Sequence, residues 1–405
     1  MELVNSILAS RGMRFSGIAQ LVYPMVKQPY PGFDFPLIST FNAGFLAPIT
    51  LVLFLVCSLG NTARGQKYSN EFLSIGVGAR AQGLGNAVVA RTDDANAAAW
   101  NPAGMAADPE AEGWQVSAMH SEWFAGVGKY DYLGVVLPAF RNGRRIGVSL
   151  IRFGIDDIPN TLSLYNSDGT VNFDNVSEFS AADYALLLSY AQPLQVEKGR
   201  LVVGGNIKVI HRIIGPFANS WGFGLDAGLQ YHRGPWSFGI TGRDLTSTFN
   251  AWSFSFTDEE KEVLELTNNE IPINSLEVTR PTLIAGVARR FSFKDIGLTP
   301  ELDVFITTDG RRNVLISGDP FSVDPALGLE ADYREFIFLR VGVNQFQELS
   351  GFGGSRTWQA RPGFGVGFQL GGLTVDYAFS DQTGLENGYA HVISLQAGFG
   401  GKKQP

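Results

Sequence analysis

From about Gly113 to Phe399 the chain alternates apolar and polar residues with a period of two, the signature of strands with one face in an apolar medium. In Trp221–His232 one face carries Trp221, Phe223, Leu225, Ala227, Leu229 and Tyr231, and the other Gly222, Gly224, Asp226, Gly228, Gln230 and His232. Phe364, Val366, Phe368 and Leu370 alternate with Gly363, Gly365, Gly367 and Gln369. Leu373, Val375, Tyr377 and Phe379 alternate with Thr374, Asp376, Ala378 and Ser380, and Leu327, Leu329, Ala331 and Tyr333 with Ala326, Gly328, Glu330 and Asp332. The pattern predicts about fourteen strands, near 113–121, 130–139, 144–153, 180–191, 200–213, 220–232, 235–245, 281–292, 299–308, 324–334, 336–345, 360–370, 372–380 and 388–399. Twelve and sixteen are the neighbouring even counts.

A soluble sandwich also alternates. Two features favour a membrane barrel instead. The polar face is rich in glycine and charge, which suits a lumen, and aromatics (Trp221, Tyr231, Trp236, Tyr333, Tyr389, Phe399) stand near the ends of the apolar stripes, as in interfacial girdles. The connections also alternate in length. They are short at Arg141–Arg144, Arg233-Gly234, Glu335 and Gly371, and long at 154–179 and 246–280. An even strand number places both ends of the barrel on one side, the periplasmic side of an outer membrane. The fold class expected is all-β, a transmembrane antiparallel barrel with a plug-like segment before it.

The first 65 residues differ from the rest. Phe45–Gly60 is an apolar run too short for a spanning helix, which needs ~20 residues. The small residues Ala63 and Gly65 follow it, so a secretory leader is the expectation and an N-terminal anchor helix the other reading. The expected organisation is a leader and extended N-terminus at 1–65, a plug segment at 66–112, a barrel at 113–399 and a tail at 400–405.

Composition narrows the function. Of 405 residues only 17% are charged, while 30 are Phe and 48 Gly, which excludes a disordered chain and a long coiled coil. The single cysteine, Cys57, excludes an internal disulfide and a cysteine-based zinc site. A net charge of −8 disfavours a nucleic-acid binder. His120, His211, His232 and His391 fall on different strands, and no H-E-x-x-H, G-x-S-x-G or P-loop is present. No enzyme, metal or cofactor is expected. Asn166-Ser-Asp168-Gly169 is only half of a calcium loop, and Asp156-Asp157, Asp258-Glu259-Glu260 and Asp309 read as solvated loop charge. Thr257 with Glu260 is a capping-box pattern and predicts a short helix in the 246–280 connection.

The most distinctive stretch precedes the barrel. Phe72–Met105 holds Gly76, Gly78, Arg80, Gly83 and Gly85, then Asp93-Asp94-Ala95, then Trp100-Asn101-Pro102-Ala103-Gly104. Its glycines suit close backbone approach, and Asp93–Trp100 suits a short helix that stops where Asn101 precedes Pro102. Gly76-Val-Gly78-Ala-Arg-Ala81 fits a loose dinucleotide fingerprint but has no βαβ unit around it.

A glycine-rich start, Asp-Asp-Ala and Asn-Pro-Ala-Gly resemble the N-terminal signature of the FadL-like outer-membrane barrels. Asn70-Glu71-Phe72-Leu73, Gly78-Ala79-Arg80-Ala81 and Trp100–Gly104 look more closely like the PorV/PorQ family of the type IX secretion system of Bacteroidota. The resemblance implies a 14-stranded outer-membrane barrel in contact with membrane lipid. It implies binding of secreted proteins by their C-terminal signal domains and transfer to a surface attachment complex, with other type IX components as partners. The alternative it implies is a FadL-like channel for hydrophobic small molecules. The family-motif residues are Gly78, Arg80, Gly83, Gly85, Asp93, Asp94, Trp100, Asn101, Pro102, Ala103 and Gly104. The candidate lumen residues are Asp226, Gln230, Glu330, Asp332, Arg340 and Asn344.

Overall fold

The computed structural model describes residues 69–123, 126–166, 169–350, 355–381 and 389–400. The expected leader at 1–65 with Cys57, Asp168 of the half calcium loop, the Tyr389 side chain and most of the tail lie outside the described residues.

Seventeen hydrogen-bonded segments form one antiparallel sheet that closes on itself. Taken as a wall they are fourteen strands. The first six are β1 (Trp114–Trp123), β2 (Gly128–Val136), β3 (Arg145–Asn160), β4 (Ser177–Leu194), β5 (Arg200–Ile214) and β6 (Ala218–Arg233). β7 runs as Trp236–Arg243 and Thr248–Phe254, and β8 as Ser275–Thr279, Thr282–Arg289 and Phe291–Phe293. The last six are β9 (Ile296–Thr307), β10 (Ser322–Tyr333), β11 (Ile337–Ser350), β12 (Arg356–Leu370), β13 (Leu373–Asp381) and β14 (Tyr389–Phe399). Each strand pairs with its neighbours in sequence, and β1 pairs with β14 from Trp114↔Phe399 to Glu122↔His391. Among the described residues no sheet edge is left open.

The wall is apolar outside and charged inside. On β6, Trp221, Phe223 and Leu225 are exposed while Asp226 and Gln230 are buried. Leu150, Leu186, Ile207, Leu339 and Ile393 join the exposed apolar face. An outward belt of this size has no place in water and fits a bilayer. From Trp221 to Tyr231 the strand rises ~33 Å, or ~25 Å after a tilt of ~40°, the height of a membrane-spanning apolar band. At the end of the barrel away from the chain ends, the belt gives way to a polar row set by register: His120↔Asp131↔Arg152↔Tyr184↔His211↔Trp221. At the other end Trp236, Tyr333 and Phe399 are exposed.

The two connections expected at 154–179 and 246–280 are shorter than the sequence pattern suggested. β3 and β4 continue to Asn160 and from Ser177, across a bulge where Asp157 takes φ 57°. β7 resumes at Thr248 after a break in which Asp244 and Ser247 have φ 54° and 58°. The break hides the strand from a period-two reading because it resets which parity faces the lumen. The expected helix is α3 (Asp258–Leu266) and carries the full capping box: Glu260 N donates to Thr257 Oγ1 at 3.2 Å and Thr257 N to Glu260 Oε2 at 2.8 Å. None of its residues is buried, so the cap is its main local support. Thr257→Ala is expected to cost α3 about 1 kcal/mol and to speed amide exchange over 258–266 about fivefold, leaving the barrel's melting temperature unchanged.

Candidate functional site

Residues 69–107 lie against the inner wall and are held there from most sides. Two short helices, α1 (Ala79–Gly83) and α2 (Ala97–Trp100), are linked by turns and followed by a 3-10 turn over Pro102–Ala106. None is long enough to be stable alone. Their backbone groups are satisfied by the barrel instead. Ala79 N donates to Ser394 Oγ of β14 at 2.7 Å. Val88 N and Val89 N donate to Asp303 Oδ2 at 2.8 and 2.9 Å, and Ala90 N to Glu301 Oε1 at 2.8 Å, both carboxylates standing on β9. Gln230 Nε2 reaches the Val89 and Thr92 carbonyls, Asn206 Nδ2 the Ala98 carbonyl, and Tyr132 OH the Ala95 carbonyl.

The Asn-Pro-Ala-Gly motif is the tightest part. Asn101 is fully buried; its Nδ2 donates to Val89 O at 3.1 Å and to Leu229 O on β6 at 3.0 Å, and its Oδ1 accepts from Ala103 N at 3.2 Å. A side chain at Gly104 would sit 2.1 Å from Thr92 O. Opposite the motif the wall is glycine: a Cβ at Gly228 would lie 2.1 Å from Asn101 Oδ1, and one at Gly204 2.5 Å from Ala103 N. The glycines on the lumen faces therefore mark where two backbones touch.

A second use of wall glycine is to let charged side chains cross. Glu330 and Arg340 face each other on β10 and β11. Arg340 Nε donates to Glu330 Oε2 at 2.7 Å, and its Nη1 passes over Gly367 of β12 to Asp376 Oδ1 of β13 at 2.6 Å. Arg80 completes the network from the inner segment, with Nε 3.0 Å from Glu330 Oε2 and Nη2 3.3 Å from Oε1. Arg340, Glu330 and Asp376 are all buried. A line of two guanidinium groups and two carboxylates thus runs from the inner segment to β13 largely away from solvent, and each charge depends on its partner.

Next to the segment lies a cavity of about 590 Å³. Leu73, Ile75 and Trp100 of the segment, Trp123 of β1, Ile151 of β3 and Leu187 of β4 give it an apolar side. Its other side is polar, with Lys208, Asp226, Arg243 and Asp244, and the 308–321 connection adds Arg312 and Asp309, the latter not solvated loop charge but paired with Arg312 at 2.7 Å. Lys208 Nζ sits 3.1 Å from Asp226 and 2.6 Å from Asp244. Arg243 lies with its guanidinium carbon 5.2 Å from the Trp100 ring centre and donates to Ala99 O at 2.9 Å. The break in β7 turns Asp244 inward to meet Lys208, so the irregular strand shapes the cavity wall.

Of the six lumen residues named from the sequence, Asp226, Gln230, Glu330, Asp332 and Arg340 are buried inside the wall, and Asn344 lines the cavity. Of the motif residues, Arg80, Trp100, Asn101 and Gly104 make the contacts above, while Asp93 is exposed. Trp100 Nε1 donates to Val77 O at 2.8 Å. Sequence reading passed over Asn206, Lys208, Arg243, Asp244, Glu301, Asp303 and Asp376. All but Asp244 sit at inward parity on strands the periodicity had already located, and that parity is the signal that finds them. No group of ligating side chains able to hold a metal occurs among the described residues.

Asp94 lies outside the wall strands. Burial and the neighbouring Asp93 push its carboxyl up to about 6, against opposing help from Arg80 and the Asn96 amide. A raised carboxyl contributes its full stability below its ordinary range, and the contribution is lost as pH rises through about 6. Lowering the pH from 7 to 4.5 is therefore expected to tighten the docked segment by about 1–2 kcal/mol. Asp94→Asn keeps the acceptor for Asn96 and is expected to remove that increment; the difference between the two melting curves across this range is the measurement.

No family model matches the chain, and no curated protein is similar to it at a significant level. Among solved structures the barrel is similar to the CymD monoaromatic hydrocarbon channel, with a TM-score of 0.49 and 14% identity, covering 80% of this chain and 98% of that one. It is also similar to the Ralstonia pickettii toluene transporter TbuX (0.46, 13%, covering 80% and 99%) and to a Pseudomonas aeruginosa FadL homologue (0.42, 11%, covering 79% and 97%). The likeness is one of overall architecture. These neighbours are outer-membrane barrels of the FadL kind.

Proposed function

We propose that the chain is an integral outer-membrane barrel, its chain ends on the periplasmic side, that admits a small molecule with an apolar body into the luminal cavity. Segment 69–107 is the plug between that cavity and the periplasm. The observation that carries this reading is the cavity itself. Its volume is in the ~300–1,000 Å³ range of small-molecule sites, and an apolar side faces a few fixed polar groups. The neighbours named as hydrocarbon and toluene channels are compatible with such a cargo. The test is binding of a homologous series of apolar ligands to the refolded barrel, read by Trp100 and Trp123 fluorescence. Affinity should rise with ligand size until the cavity is filled and fall when Leu187→Asp makes its apolar side polar. No saturable quenching by any member of the series would overturn the reading.

A second reading, the PorV-like one, is favoured by the far-end connections. Tyr165, Phe173, Leu266 and Ile273 are all exposed there, beyond the apolar belt, where large apolar side chains suit a protein partner. On that reading these connections bind the C-terminal signal domains of type IX substrates. Deletion of 161–176 and of 255–274 should abolish capture of such domains, and unchanged capture would sink the assignment.

A further inference from the structure

The end of the barrel that carries the chain ends bears cations with no carboxylate partner among the described residues, set among aromatic rings on the outer face. β6, β7 and β8 end there with Arg233, Trp236 and Arg289 in register: Arg233 pairs with Trp236, and Trp236 with Arg289. The Arg289 guanidinium lies 4.9 Å from the Trp236 ring centre and 4.6 Å from that of Phe291. Lys294 occupies the next turn. The two carboxylates in these turns are already matched, Asp295 to Arg334 at 3.0 Å and Glu335 to Arg290 at 3.0 Å. Arg233, Arg289 and Lys294 have no carboxylate within ion-pair distance among the described residues.

We infer that this strip binds the phosphodiester headgroup of an anionic phospholipid in the membrane leaflet on the side of the chain ends. Height and charge both point to it. Arg289 faces outward with Leu283 of the same strand, and Trp236 with Phe238 and Ile240, so the strip is the lower border of the apolar belt, where acyl chains end and headgroups begin. Ring stacking holds the guanidinium plane without consuming its N–H donors, which remain for phosphate oxygens. Arg233 and Lys294 add positive charge on either side. The polar row at the opposite border differs: Arg152 Nη1 is paired with Asp131 Oδ2 at 3.1 Å and His120 Nδ1 contacts Asp131 Oδ1 at 2.7 Å, so its cations are already occupied. The inference needs only a membrane-embedded barrel and does not depend on what the lumen carries.

The test is native mass spectrometry of the full folded barrel titrated with phosphatidylglycerol or with phosphatidylcholine of the same chains. Wild type should retain phosphatidylglycerol with a preference of roughly 10- to 100-fold. The Arg233→Gln/Arg289→Ala/Lys294→Gln variant, checked to be folded by its heat-dependent gel mobility, should retain the two lipids equally. Arg289→Lys keeps the charge without the planar stack and should fall between them. Millimolar glycerol phosphate should not displace the lipid. Equal retention by wild type, a preference that survives the triple variant, or full displacement by glycerol phosphate would each overturn the assignment.

Discussion

Glu330→Ala is expected to lower the unfolding free energy of the barrel by about 3–5 kcal/mol, measured as a shifted urea midpoint in detergent or vesicles. Among the described residues Glu330 is the one carboxylate shared by Arg80 and Arg340, which contact it at 3.0 and 2.7 Å. Removing it leaves one buried guanidinium with Asp376 alone and the other without a carboxylate partner in the network. The cost comes from the stranded charges rather than from the lost pair, and a second substitution can check that. Glu330→Met combined with Arg80→Met, Arg340→Met and Asp376→Leu replaces all four charges by apolar volume and should recover much of the loss. A single variant as stable as wild type would mean that water reaches the network.

Gly342→Val is expected to release the inner segment while the barrel stays folded. A Cβ at Gly342 would fall 2.0 Å from the Leu84 carbonyl carbon and 2.2 Å from Gly85 N. Both are backbone atoms, and Gly85 packs as closely on its own side, where a Cβ would lie 2.4 Å from Val343 N. The β11 wall is fixed by pairing with Gly328 and Gly363 on either side. The stretch around α1 must therefore move inward, which breaks the Asp303 contacts to Val88 and Val89 and the Arg80–Glu330 pair. Protease cleavage within 69–107 should accelerate about a hundredfold or more, and single-barrel conductance should rise, with the heat-dependent gel shift retained. Unchanged cleavage would show that the segment tolerates the shift locally.

The sequence disclosed the wall well because a barrel strand must obey a strict parity. One face meets lipid and the other the lumen, so Trp221–Tyr231 or Phe364–Leu370 can be read from period two alone. Legibility failed where parity is reset, at the Asp244–Ser247 break and the bulges at Asp157 and Gln345, each with a non-glycine residue at positive φ. It failed again for the lumen network, because nothing along the chain announces that Arg340 reaches across Gly367 to Asp376 or that Asp244 turns toward Lys208. Those pairings depend on which strands stand side by side and how they are staggered. The Asn-Pro-Ala-Gly motif stood out as a pattern, but the reason for it, an amide bonded to the Val89 carbonyl and to the Leu229 carbonyl of β6 and facing a glycine wall, is visible only in three dimensions.

The seam between β1 and β14 joins Trp114 to Phe399, and the first inner helix is tied to Ser394 on the last strand. Neither contact can form while the chain is still emerging. Closing so long a loop is entropically slow, and both closures must happen together if the segment is to be inside when the wall shuts. Assembly is therefore completed only when the two ends of the barrel meet: a chain shortened by its last strand would leave unpaired edges and an untethered N-terminal segment, and would present to a quality-control protease the very stretch that the finished barrel conceals.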